Sequence, residues 1–183
     1  MTRIIAGTAK GRTLKVPAHG TRPTSDRVRE SVFNMLQHQL GRWNELNVLD
    51  LFAGSGAYAL ESMSRGAKSA TVVENARHAI DVLHQNAQVM GFDLRIVNRD
   101  VNKYVAVSSA EKFDVVFIDP PYDVANHTIT ELLDALVEHN FLAEEAVIVV
   151  ERSGRDEIFS VPDSLTIDSD RALGETRVVV LVG

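Results

Sequence analysis

Val48-Leu49-Asp50-Leu51-Phe52-Ala53-Gly54-Ser55-Gly56-Ala57-Tyr58-Ala59 runs without a break from an apolar strand into a glycine turn and on into a helix beginning near Tyr58. In a doubly wound sheet such a turn lies at the carboxyl edge of the strands, where ligands bind, and glycines let the backbone approach the ligand closely. Glu74, twenty residues after Gly54, ends the next apolar run, where a carboxylate can accept the hydroxyls of a ribose. Two cofactors fit this pattern. Residues 54–59 have the G-x-G-x-x-A spacing of a dinucleotide loop. Asp50, however, would repel a pyrophosphate and suits a positive amino group, such as that of the methionine portion of S-adenosylmethionine. Asp100, after the third run, can accept from an adenine amino group or cap a helix.

Outward from this stretch, apolar runs at 48–52, 70–74, 94–98, 113–119 and 146–151 alternate with helical segments. Ala76, Ile80, Leu83, Ala87 and Met90 share one helix face, as do Ile129, Leu132, Leu133, Leu136 and Val137. The alternation predicts an α/β fold with a mostly parallel sheet covered on both faces. Residues 164–168 and 177–182 predict a closing hairpin around Leu173-Gly174-Glu175-Thr176. Length agrees: 183 residues, 45% hydrophobic and 24% charged, suit one globular domain plus a small appendage. With no cysteine, disulfides, cysteine-ligated metals and thiolate nucleophiles are excluded. No apolar run is long enough to span a membrane and no signal-peptide core is evident, so a cytoplasmic protein is expected.

Charge is uneven along the chain. The formal net charge is -6, yet residues 1–30 hold seven basic and two acidic side chains, which leaves the remainder strongly acidic. Such a split predicts a basic arm that meets a polyanion, attached to an acidic body. Arg3-Ile4-Ile5-Ala6-Gly7 and Gly11-Arg12-Thr13-Leu14-Lys15-Val16-Pro17 read as two short strands around a turn. Thr24 or Ser25 then caps a helix whose Val28, Val32, Leu36 and Leu40 form an apolar stripe.

The sharpest chemical signal is Asp119-Pro120-Pro121-Tyr122, directly after the apolar run Phe113-Asp114-Val115-Val116-Phe117-Ile118. Two prolines donate no backbone hydrogen bonds and force a rigid extended turn, which leaves a fixed carboxylate and carbonyl as acceptors. An exocyclic amino group on a base is a poor nucleophile because its lone pair is delocalised into the ring. Acceptors for its two hydrogens would turn the nitrogen toward a methyl sulfonium, and Asp119 could take the proton released. Tyr122 offers a ring to stack on a base drawn out of its helix. Methylation of a pyrimidine carbon needs an attacking cysteine, so the expected target is nitrogen.

These strings, together with Thr21-Arg22-Pro23-Thr24, Asp26-Arg27-Val28-Arg29-Glu30 and Ser64-Arg65-Gly66-Ala67, give the chain its resemblance to a family. It resembles the class I S-adenosylmethionine-dependent amino-methyltransferases, and more closely the bacterial family that methylates the N2 amino group of a guanine in 16S ribosomal RNA, the RsmD family. The resemblance implies a Rossmann-like seven-stranded sheet with the last strand antiparallel, carried by residues 21–183, and a β-hairpin at residues 1–20 that holds RNA. It implies guanine 966 as the target, with the RNA held within the small ribosomal subunit. It also places Thr24 over the cofactor. The cofactor set is then expected to be Asp50, Phe52, Ala53, Gly54, Ser55, Gly56, Glu74, Asn75, Asp100, Val101 and Thr24. The catalytic set is Asp119, Pro120, Pro121 and Tyr122, and the RNA-binding set Arg3, Lys10, Arg12, Lys15, Arg22 and Arg27. The sequence departs from the family pattern at Ala9, where an aromatic is common, at Tyr58-Ala59, where Leu-Gly is usual, and at Asn75.

The six histidines show no metal-ligand spacing, so no metal is expected. Trp43 reads as a packing residue, and a domain of this kind can work as a monomer. The rivals are a DNA adenine-N6 or cytosine-N4 methyltransferase, a noncatalytic ribosome-assembly factor and, more distantly, a nicotinamide dehydrogenase.

Overall fold

The computed structural model describes residues 2–17, 25–121 and 123–183; Arg22, Thr24 and Tyr122 lie outside them. Its elements are β1 (Thr2–Arg3), β2 (Thr13–Leu14), α1 (Asp26–Leu40), β3 (Asn47–Leu51), α2 (Ala57–Ser64), β4 (Ser69–Glu74), α3 (Arg77–Met90), β5 (Arg95–Asn98), α4 (Val101–Val105), β6 (Phe113–Ile118), α5 (Asn126–Glu138), β7 (Leu142–Ser153), β8 (Thr166–Leu173) and β9 (Thr176–Val182). The last seven strands form one sheet in the order β5-β4-β3-β6-β7-β9-β8. β3 to β7 pair in parallel, and β9 runs antiparallel to both β7 and β8. The last strand alone is therefore reversed.

Alternate side chains of each strand enter two cores. On one face Val48, Val72, Val115, Phe117, Val147 and Val149 pack under α1, α2 and α3. On the other, Leu49, Leu51, Val73, Val116, Ile118 and Ile148 pack under α4 and α5. Burial on both faces explains why the inner strands read as unbroken apolar runs. Helix α1 begins as its sequence directs. Ser25 accepts from the Val28 N–H, Asp26 sits in the first turn, and Val28, Val32 and Leu36 are buried. Trp43 is buried against Phe33, with ring centroids 5.3 Å apart.

Several boundaries differ from the sequence expectation, among them those of the hairpin, where only Thr2–Arg3 and Thr13–Leu14 pair as strands and residues 4–12 form the connection. Phe52 leaves the strand and adopts φ 63°, a left-handed conformation that costs a bulky residue on the order of 1–3 kcal/mol and recurs at functional sites. β7 starts four residues early, because Leu142 still pairs with Phe113 before the register shifts. β8 runs on to Leu173, since pairing with β9 extends an edge strand whose exposed polar residues carry no apolar signal.

The N-terminal hairpin is joined to the body rather than projecting from it. Thr2 pairs with Leu14 and Arg3 with Thr13, and Ile4, Ala9 and Leu14 enter the core beneath α1 and α2. The buried Glu61 carboxylate of α2 accepts from the Ile5 N–H (2.7 Å) and the Ala6 N–H (3.0 Å). Ser64 closes the contact, donating to the Ala6 carbonyl (2.6 Å) and accepting from the Ala9 N–H (2.9 Å). A Cβ on Gly7, whose φ is 80°, would lie 1.8 Å from the Ser64 carbonyl oxygen, so only glycine fits there.

Candidate active site

Strand order reverses direction between β3 and β6, the switch point at which doubly wound sheets bind ligands. A cavity of about 960 Å³ opens there. Of the expected cofactor residues, Asp50, Phe52, Ala53, Gly54, Ser55, Glu74, Asn75, Asp100 and Val101 all line it, and so do Asp119, Pro120 and Pro121. Gly56 stands behind the wall as the N-cap of α2 at φ 78°, where a Cβ would meet the Leu83 side chain at 2.5 Å.

Each carboxylate is placed by its element. Asp50, in the last turn of strand before the loop, is 2% exposed and accepts from the Ala59 N–H (3.1 Å), capping α2 from the strand below. Burial pushes its pKa up to about 8, with smaller pushes from Asp119 and Glu74. Glu74 accepts from the Gly54 N–H (2.9 Å) through one oxygen and from the Asn75 and Ala76 N–H groups (2.8 Å each) through the other. It thus ties the glycine loop to β4, and of roughly four acceptor positions on a carboxylate one remains for a ribose hydroxyl rather than two. Asp100 caps α4 by accepting from the Lys103 N–H (3.1 Å) while also lining the cavity, so the two readings of it coexist.

Among the cavity residues that sequence reasoning missed, Tyr58 and Glu151 carry polar groups into its buried end. Tyr58 stacks on Phe117, with centroids 4.4 Å apart and planes at 19°, and its hydroxyl donates to Oε1 of Glu151. Glu151 follows the apolar run Ala146-Val147-Ile148-Val149-Val150 as Glu74 and Asp119 follow theirs, a signal that could have found it. Its pKa is also raised to about 8, by burial first and Asp50 second, against the opposing charge of the buried Arg29. The tip of the β8–β9 hairpin, Leu173, Gly174 and Glu175, forms the far wall.

The basic residues divide. Arg27 lines the cavity mouth and Lys10 is exposed. Arg3 pairs with Asp26 (3.6 Å), Arg12 donates to the Val89 (3.0 Å) and Met90 (3.4 Å) carbonyls at the end of α3, and the Lys15 ammonium reaches Gln85 (2.8 Å). Arg3, Arg12 and Lys15 remain exposed while making these contacts.

The charge of the lining tests the cofactor. Glu74, Asp100, Asp119, Asp123 and Glu175 face it against the single guanidinium of Arg27 among the described residues, and the buried acids Asp50 and Glu151 ionise only where a cation comes beside them. Such a lining repels a pyrophosphate and suits a ligand bearing ammonium and sulfonium charges. S-adenosylmethionine fits; a dinucleotide does not. Among the described residues no group of three or more candidate ligands could hold a metal ion, and no helix is long and apolar enough to cross a membrane.

Comparison with known proteins agrees. The sequence model of the family described as "Conserved hypothetical protein 95" matches residues 2–182. Ribosomal RNA small subunit methyltransferase D of Escherichia coli is 35% identical over 175 residues, covering 94% of this chain and 85% of that protein. The chain belongs to this family. The small subunit methyltransferase D of Haemophilus influenzae is 33% identical, over 94% of this chain and 89% of its own length. The solved structure of yhhF, a candidate methyltransferase of Escherichia coli, is 33% identical with a TM-score of 0.86, covering 99% of this chain and 97% of that one. The methyltransferase D family is S-adenosylmethionine-dependent, which matches the charge of the cavity.

Proposed function

We propose that this chain transfers a methyl group from S-adenosylmethionine to the exocyclic N2 amino group of a guanine in 16S ribosomal RNA. The observation that carries the reading is one shared cavity. Leu51 and Ile118 are paired neighbours, so the glycine loop after β3 and Asp119-Pro120-Pro121 after β6 open side by side into it. The names of the relatives supply the RNA.

When bound, S-adenosylmethionine supplies an electrophilic methyl group on its sulfonium. Asp50 receives the amino group of the methionine portion, the free acceptor of Glu74 a ribose hydroxyl, and Asp100 the adenine amino group. Asp119 and the Pro120 carbonyl accept the two hydrogens of the guanine amino group, which directs the nitrogen lone pair toward the cofactor side of the cavity. As the new carbon–nitrogen bond forms, the methyl–sulfur bond would break and its electron pair stay on sulfur, leaving the neutral thioether S-adenosylhomocysteine; the positive charge passes to the nitrogen, and Asp119 takes its proton or passes it to water. The two prolines hold this acceptor pair rigid, and Tyr122, next in the chain, is the stacking platform. Exposed Arg3, Lys10, Arg12 and Lys15 meet RNA phosphates outside the acidic cavity, and exposed Arg27 meets them where it lines the cavity.

The test is methyl transfer from labelled S-adenosylmethionine to unmodified small ribosomal subunits, free 16S RNA and duplex DNA, read by nucleoside mass spectrometry. N2-methylguanosine from either RNA sample is the expected product. N6-methyladenine or N4-methylcytosine in the DNA would overturn the reading, as would tight cofactor binding with no product in any sample.

A further inference from the structure

Three nucleobases offer an exocyclic amino group to an acceptor such as Asp119: guanine, adenine and cytosine. They differ in the ring atom beside that group, which in guanine carries a hydrogen and adjoins a carbonyl, and in adenine and cytosine carries a lone pair. A site that accepts the amino group alone therefore does not choose among them.

Glu151 stands where that choice would be made. Ile118, the last residue of β6, pairs with Val150 of β7 on backbones about 5 Å apart, so Asp119, just past the end of β6, comes next to the level of Glu151 in β7. Both line the cavity. Glu151 is 5% exposed, and the Tyr58 hydroxyl bonded to its Oε1 fixes the carboxyl, while Tyr58 is itself held by stacking on Phe117. None of the steps above uses this buried acid.

We propose that the Glu151 carboxyl reads the N1–H and the 6-carbonyl of the guanine whose amino group Asp119 holds. This rests on the guanine-N2 reading above and deepens it by naming the residue that sets the base. A protonated carboxyl carries one donor and one acceptor side by side, the complement of the N–H and C=O of a lactam. Burial favours that protonated form, with the pKa near 8. Because the Tyr58 hydroxyl donates to Oε1, the carboxyl proton stays on Oε2 and the order of acceptor and donor is fixed; adenine and cytosine, with a ring lone pair in place of the N1–H, then set acceptor against acceptor and fit the pair of acids less well. A site built to hydrogen-bond a substrate rejects analogues that lack the matching groups.

2-Aminopurine separates the two features, because it keeps the amino group of guanine but has neither the N1–H nor the 6-carbonyl. Small subunits are reconstituted with 16S RNA carrying guanine or 2-aminopurine at the nucleotide methylated in the previous experiment, and kcat/KM is measured for each. The wild-type protein is expected to prefer guanine by about tenfold or more. Glu151→Gln keeps a donor and an acceptor and retains that preference. Glu151→Met, close in volume and without polar atoms, brings the two substrates within about threefold, chiefly by losing activity on guanine. A wild-type ratio near one overturns the proposal, as does a folded Glu151→Met that keeps the wild-type ratio or a folded Glu151→Gln that loses it. If Glu151→Met does not fold, the wild type and Glu151→Gln decide. Failure of the underlying reading looks different: the wild type would make no N2-methylguanosine at all.

Discussion

Asp50 and Asp119 sit at the ends of adjacent strands and do opposite work in the proposed reaction. Asp119 acts on the substrate nitrogen, so Asp119→Ala is expected to lower kcat by about 10²-fold or more while the dissociation constant of S-adenosylmethionine changes by less than about threefold. Equal loss of both would remove it from the catalytic role. Asp50 acts on the cofactor. With its pKa near 8, it is largely protonated at neutral pH before the cofactor arrives. An ammonium group beside it favours the carboxylate, so binding at pH ~7 should release close to one proton. Calorimetry in buffers of different ionisation enthalpy measures this release, and Asp50→Asn should abolish it; unchanged release in that variant would move the ammonium elsewhere. Asp50, Glu74 and Asp119 were legible in the sequence because a carboxylate at the end of an apolar run stands out. Glu151 carries the same mark without a flanking motif. Arg29 was not legible: it looks like a solvated helix residue, yet it is fully buried beside Asp26, at 3.0 Å.

At the scale of elements, the parallel strands and their helices follow from apolar runs and helical spacing, and the sequence located all five parallel strands. The edge was harder. β8 leaves Asp168, Asp170 and Arg171 exposed with no alternation to mark it as a strand, and its length is set by β9, a pairing that no local pattern encodes. The N-terminal hairpin was legible as two strands, but its seat on α2 was not, because Glu61 and Ser64 read as ordinary polar helix residues. That seat can be tested through Gly7. Gly7→Ala places a Cβ against the Ser64 carbonyl and is expected to release the hairpin. Amide protection should fall at Ile4 and Gly11, whose N–H groups donate to the Arg12 and Ile4 carbonyls, while β3 and β6 stay protected. RNA affinity should weaken with cofactor affinity unchanged; a variant that keeps full RNA affinity would free the hairpin from that role. For the charges, Arg12→Ala with Lys15→Ala should reduce the slope of log K against log salt by about 1–2, and an unchanged slope would count against phosphate contacts there.

For the whole molecule, the same buried acids that prepare the cavity set how stability depends on pH. Asp50 and Glu151 have ordinary pKa values of 3.8 and 4.5, and burial raises both to about 8 in the folded protein. Below pH ~4 each is protonated in both the folded and unfolded states, and its contribution to stability is fully present. Between pH ~4 and ~8 the unfolded chain ionises while the folded one keeps its protons, so stability is lost steadily and the loss is complete above the folded values. Asp170 has the opposite sign, because its bond to Arg177 lowers its pKa, but it lies at the surface and its contribution is small and confined to acid. The cofactor-free protein should therefore melt several degrees lower at pH ~8 than at pH ~5.5, an effect on the order of a few kcal/mol. Asp50→Asn should flatten that dependence, and saturating S-adenosylmethionine should do the same by favouring ionised Asp50 in the folded state. A Tm that rises over this range in the free protein would show that Asp50 and Glu151 are already ionised in the cavity, and with them the release of a proton on cofactor binding would go.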